Sequence, residues 1–177
     1  IYVMGNGGSG LAASHFVADI GKSASYGKDK RFKVVCLNDN MSMVMSYAND
    51  VDYSQIFVEQ LKNFISENDI VIGFSGSGNS KNVLNAIEFA NQQGAITVGF
   101  TGYNGGQLKT LAQYSINSNV DDIQVSEDFR EYWSQPVCAS WGCKSQMSDH
   151  QTEYHGQRKT LSTLCQRQHR VFYRQHR

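Results

Sequence analysis

Two short runs hold the residue types that bind an anion. The first, Gly5-Asn6-Gly7-Gly8-Ser9-Gly10, follows the apolar stretch Ile1 to Met4 and precedes a helical face. The second, Ser75-Gly76-Ser77-Gly78-Asn79-Ser80, follows Asp69 to Phe74 and leads into a helical face that begins at Val83. Backbone N–H groups in such turns, at the start of a helix, favour negative charge and above all phosphate. The second run adds the hydroxyls of Ser75, Ser77 and Ser80, but it lacks the Lys of a Walker loop, which argues against NTP hydrolysis. The first also satisfies G-x-G-x-x-G, a weak dinucleotide signature when it stands alone. That reading wants an acidic residue closing the second strand about 20 residues on, and Asp39 comes later than this. The bland alternatives are a glycine turn with no ligand and a plain Ser/Gly linker. A linker, however, is out of place between a buried strand and an amphipathic helix.

His15 and Asp19 are four residues apart on the helix after the first run, so they share one face and could share a metal. A lone His on an apolar helix face is more often packed or capped than a ligand. Cys36 falls in a strand and reads as core. Cys138, Cys143 and Cys165, with His150, His155 and His169, lack the tight pairs of a zinc module.

The elements that would position these groups follow from periodicity. Strands are expected at Ile1 to Met4, Phe32 to Leu37, Asp69 to Phe74, Ala95 to Phe100 and Tyr114 to Asn117. Between them, Leu11, His15, Phe16 and Ile20, then Ile56, Phe57, Leu61, Phe64 and Ile65, then Val83, Leu84, Ile87 and Ala90 fall at helical spacing. This alternation implies an α/β fold, a three-layer sandwich with a five-stranded parallel sheet between helices. The third strand is apolar along most of its length, as expected of a strand covered on both faces.

The pattern stops near Phe129. Residues 1–129 hold 8 Lys+Arg against 13 Asp+Glu, a balance of −5, and residues 130–177 hold 8 against 3, a balance of +5. The second part has six Arg, no Ile and no Asn, and shows neither period. We therefore expect a domain at 1–129 and an unrelated tail at 130–177, for which a frame-shifted continuation is one reading. A natural basic tail for an acidic partner or nucleic acid is the other. No run of about 18 apolar residues and no signal peptide is present, so a soluble, cytosolic protein is expected. The chain opens on a strand already under way, which suggests a preceding natural segment.

Gly5-Asn6-Gly7-Gly8-Ser9 with His15, Asn49-Asp50, Ser75-Gly76-Ser77-Gly78-Asn79-Ser80 with Asn82-Val83, and Gly102-Tyr103-Asn104-Gly105-Gly106 together resemble the phosphoheptose isomerase branch of the sugar-isomerase (SIS) family. The resemblance covers residues 1 to about 129. It implies phosphosugar ligands, no nucleotide and no nucleic acid, and homo-oligomers (dimer or tetramer) with active sites between subunits. It also implies that Ser75, Gly76, Ser77 and Ser80 hold the phosphate, that Asn6, Gly7, Gly8, Ser9, Asn49 and Asp50 touch the sugar, and that Gln124 contacts the substrate as well. Asp19 would be the base of an aldose–ketose isomerisation through an enediol, and His15, Asp19 and Gln124 would be ligands to a zinc ion. Two positions depart from the family pattern. Asp19 stands where the family has Glu, one methylene longer, and Tyr132 stands where it has a His, eight residues after Gln124. With an ordinary pKa of about 10, Tyr132 is a poor acid for that role. A non-catalytic sugar-phosphate sensor or oligomeric adaptor is the alternative, and a dinucleotide-binding domain a weaker one.

Overall fold

The computed structural model describes residues 1–118. Within them, five strands form one all-parallel sheet: β1 (Tyr2–Gly5), β2 (Val35–Cys36), β3 (Ile70–Ser75), β4 (Ile96–Thr101) and β5 (Tyr114–Asn117). The helices are α1 (Gly8–Ala18), α2 (Met41–Asp50), α3 (Val58–Lys62), α4 (Lys81–Gln92) and α5 (Leu108–Leu111). The expected α/β sheet architecture is present, in the order β2-β1-β3-β4-β5. The order reverses beside β1: β2 lies on one side of it and β3 on the other. In open parallel sheets the crevice at such a reversal, outside the strands' C-terminal ends, is where ligands bind.

The sheet is buried on both faces. On one, Phe16 and Ile20 of the first helical segment cover Val3, Ile72 and Phe74. Phe74 stacks on Phe100 with ring centroids 4.6 Å apart and meets Phe16 at 6.0 Å, contacts worth about 0.5–1.5 kcal/mol each beyond area burial. The other face packs Met4, Val71, Val83, Ile87 and Leu108 with Phe57 and Leu61. β3 is buried at all of its positions, as a central parallel strand must be.

Three differences from the sequence reading have local causes. β2 is shorter than Phe32 to Leu37 because it is an edge strand paired only with β1, whose first paired residue, Tyr2, lies level with Val35. Residues 41–50, absent from the helices that spacing predicts, form α2, capped by Asn40 accepting the Met43 N–H at 3.2 Å. Val44, Tyr47 and Ala48 are only partly buried and Met41 and Met45 are exposed, which blurs the periodicity. Leu11, expected on the core face of α1, is 72% exposed, and Phe64 beyond α3 is 58% exposed. No helix among the described residues is long and apolar enough to cross a membrane.

Gly73 in β3 sets the distance to α4: a Cβ there would lie 2.8 Å from Val83 Cγ1 and 3.5 Å from Ile87 Cδ1. Gly73→Ala should destabilise the fold by roughly 1–3 kcal/mol through overpacking. Gly21→Ala, whose Cβ meets only Val34 Cγ1 at 3.5 Å, should leave stability nearly unchanged. Urea unfolding of both variants checks this.

Candidate functional site

β1 and β3 run side by side with Gly5 level with Phe74, so the chains that leave them diverge from neighbouring points. One is the Asn6–Ser9 turn into α1, and the other is the Gly76–Ser80 turn into α4. The two glycine- and serine-rich runs thus face each other at the sheet's reversal, each at a helix start whose first N–H groups have no intrahelical partner.

The serine turn is held from within and from outside. Ser75, 3% exposed, donates its hydroxyl to Ser80 Oγ at 3.0 Å. Ser77 Oγ accepts the Asn79 N–H at 3.2 Å, and Asn79 Nδ2 returns a bond to the Ser77 carbonyl at 3.0 Å. The β4–α5 connection then locks the turn: Leu108 N–H donates to the Gly78 carbonyl at 2.9 Å and Gln107 N–H to Asn79 Oδ1 at 3.1 Å. Gly78 has φ +66, and a Cβ would overlap the Gly105 carbonyl, so only glycine fits there. This is why the Gly102-Tyr103-Asn104-Gly105-Gly106 run accompanies the serine run: it clasps that turn.

The glycine turn is tied in three directions. Asn38, just past β2, accepts the Gly5 N–H at 3.1 Å and donates to the Gly5 carbonyl at 2.6 Å. Asn6 and Asn82 exchange two side-chain bonds, of 2.9 and 2.8 Å, across the crevice. The Tyr53 hydroxyl donates to Asn6 Oδ1 at 3.1 Å from the α2–α3 connection. Asp39, the acidic residue that a dinucleotide reading would use, instead accepts the Ser14 hydroxyl at 2.7 Å.

Asn49 and Asp50 end α2, exposed, with Asn49 donating to Asp50 at 2.7 Å, and neither bonds to either turn. Tyr53, three residues beyond Asp50, is the residue of this region that reaches the glycine turn. Asp52 positions it: this carboxylate accepts from the Ser54 N–H at 2.7 Å. Hydrogen bonds from the Ser54 side chain and backbone hold the Asp52 carboxyl below its usual value, with a smaller contribution from the Lys81 charge. Sequence reasoning missed Tyr53 and Asn38 because their partners are far along the chain, although an Asn directly after a strand signals a possible turn clamp.

His15 and Asp19 share a face, with Nε2 and Oδ1 3.9 Å apart. Helix α1 takes them away from the crevice, since its 11 residues span about 16 Å at ~1.5 Å per residue. Asp19, at the C-terminal end of α1, therefore lies at the opposite end of that helix from the glycine turn, beside which the serine turn opens. The pair offers two ligands where a catalytic zinc takes three, and no group of three or more His, Cys, Asp or Glu among the described residues could hold a metal. Gln124 and Tyr132, the 130–177 tail, and its Cys and His residues lie outside the described residues.

A family model for the SIS domain matches residues 1–102. The chain belongs to the SIS domain family. A protein of Thermoplasma acidophilum named "Probable phosphoheptose isomerase" is 35% identical over 140 residues, covering 78% of this chain and 76% of that protein. The phosphoheptose isomerase of Geobacter metallireducens is 37% identical over 117 residues, covering 66% of this chain and 61% of that protein. The chain thus spans about three fifths to three quarters of these two relatives. A solved phosphoheptose isomerase from Francisella tularensis superposes with a TM-score of 0.71 at 25% identity, covering 78% of this chain and 73% of that one. The SIS domain fold accounts for the parallel sheet and for the two turns at its reversal.

The lowered Asp52 pKa carries a sign. Its contribution to stability is complete above the ordinary value of 3.8 and is lost as pH falls through the lower folded value. Asp52→Asn keeps a cap acceptor but does not titrate. The native chain should therefore melt slightly above this variant at neutral pH, and the gap should close below about pH 4. Melting curves from neutral pH into this acid range check it.

Proposed function

We propose that this SIS domain binds a phosphorylated sugar and forms part of a sedoheptulose 7-phosphate isomerase that works as a cytosolic homo-oligomer. The observation that carries this reading is the pair of turns meeting at the sheet's reversal. One is rich in hydroxyls and clasped into a fixed shape, the other is rich in amides, and they are joined by Asn6 and Asn82. Ser75, Ser77 and Ser80, with the N–H groups that open α4, take the phosphate. The Asn6–Ser9 turn faces the sugar. The names of the relatives support the same substrate class.

Isomerisation takes a proton from the carbon beside the carbonyl and returns one to the former carbonyl carbon, while a second proton passes between their two oxygens, through an enediol. A base must lie within hydrogen-bond reach of that proton, about 2.6–3.2 Å. Asp19 is the base in this reading. Its place at the far end of α1 supports a site built between copies, in which one copy's turns hold the sugar phosphate and another's Asp19 takes the proton. Zinc would be held by His15 and Asp19 with Gln124.

Two measurements test the reading. Sedoheptulose 7-phosphate at millimolar concentration should raise the melting temperature of the native chain. The Ser75→Ala, Ser77→Ala double variant should lose that shift, and an unchanged shift would remove the serine turn from the site. For the shared site, Asp19→Asn and the double serine variant should each be inactive alone, and subunit exchange between them should restore part of the turnover. If exchanged mixtures stay inactive while the native protein turns over, Asp19 does not serve a neighbour's site.

A further inference from the structure

Asn6 and Asn82 are 76 residues apart in the chain, and each amide bonds the other. Such a pair could sit either way round, with N and O exchanged in both side chains. One backbone group removes the choice: the Val83 N–H, an orphan donor in the first turn of α4, lies 3.0 Å from Asn82 Oδ1. An N–H can only donate, so the Asn82 atom there is the oxygen. It follows that Asn82 Nδ2 donates to Asn6 Oδ1 at 2.8 Å and that Asn6 Nδ2 donates back at 2.9 Å. The Tyr53 hydroxyl then gives Asn6 Oδ1 its second donor, at 3.1 Å. Both lone pairs of that oxygen are used, while Nδ2 of Asn6 makes one bond and has one hydrogen without a partner among the described residues.

We propose that Asn82, with Tyr53 in support, is a positioning residue that sets the Asn6 amide so that it offers an N–H, not an oxygen, to the sugar end of a bound phosphosugar. This rests on the phosphosugar reading above and makes it more specific. Asn82 is 2% exposed and acts only through Asn6. The ligand group at Asn6 must then accept, which fits a carbonyl or hydroxyl oxygen of the sugar and disfavours a group that can only donate. Phosphate binding is left to the serine turn on the other side of the pair, so sugar and phosphate recognition separate between two sets of residues.

Asn82→Asp tests this with nearly the same shape. The carboxylate still accepts the Val83 N–H, but it has no hydrogen for Asn6 Oδ1 and repels it, so the Asn6 amide loses its fixed orientation. The readout is the ratio of the dissociation constant for inorganic phosphate to that for sedoheptulose 7-phosphate, measured on the full chain by calorimetry. The added charge weakens both ligands alike, and a defect in packing would also lower both, so the ratio reports the sugar contact alone. We expect the ratio to fall roughly tenfold in Asn82→Asp, the scale of one misdirected hydrogen bond, and severalfold in Tyr53→Phe. An unchanged ratio in Asn82→Asp overturns the proposal. Should that variant fail to melt cooperatively, an unchanged ratio in Tyr53→Phe, which alters a side chain on an exposed residue, overturns it instead. A native chain that binds phosphate and phosphosugar equally well overturns the phosphosugar reading and this inference together.

Discussion

The ladder between β1 and β3 is the constraint on which the site depends. Four residues of β1 lie level with four of β3, from Tyr2 opposite Val71 to Gly5 opposite Phe74. Because the strands are parallel and stop within one residue of each other, the turns that follow them open from the same edge of the sheet. Were the ladder to slip by one residue, the apolar side chains of β1 would exchange faces, and Met4 would leave the packing of Val71, Val83 and Phe57. The core thus enforces the register, and the register brings the two turns together. Burial of β3 on both faces makes this arrangement costly to relax.

Polar contacts finish what the ladder begins. Hydrophobic packing can bring two turns close, but it does not decide which way an amide points or whether a serine turn keeps one shape. Here those choices fall to short bonds between groups that are partly or wholly shielded from water: Ser75 with Ser80, Gly78 with Leu108, Asn38 with Gly5, and Asn6 with Asn82. A buried polar group left without a partner costs about 1–3 kcal/mol, so such a set tends to hold as a whole. A turn fixed in this way has less ordering left to do if a ligand binds there.

Helix α1 sets the other limit. It starts at the crevice and runs back along the sheet, as the helix of a parallel crossover must. Its two ends therefore serve different places: the amides of Gly8 and Ser9 at one end, and His15 and Asp19 toward the other. Residues that read as one catalytic group in the chain are divided by the length of the helix that carries them.

How much could be read in advance depends on the range of the interaction. Strand and helix signals are local: β5 appears at Tyr114–Asn117 as periodicity places it, and the other strands differ mainly at their ends. The anion-binding character of Gly5–Gly10 and Ser75–Ser80 is also local, because glycine turns and hydroxyls between a strand and a helix carry it. The same is true of the shared face of His15 and Asp19, which follows from helical spacing alone. The sequence by itself therefore determined the α/β class, the two glycine- and serine-rich turns between a strand and a helix, and the family. The strand order, the Asn6–Asn82 bridge over 76 residues, the Tyr53–Asn6 bond over 47 residues and the distance from Asp19 to the serine turn were decided only in the tertiary structure. Each depends on which segments the packed sheet brings side by side, and no pattern within one segment encodes its neighbour.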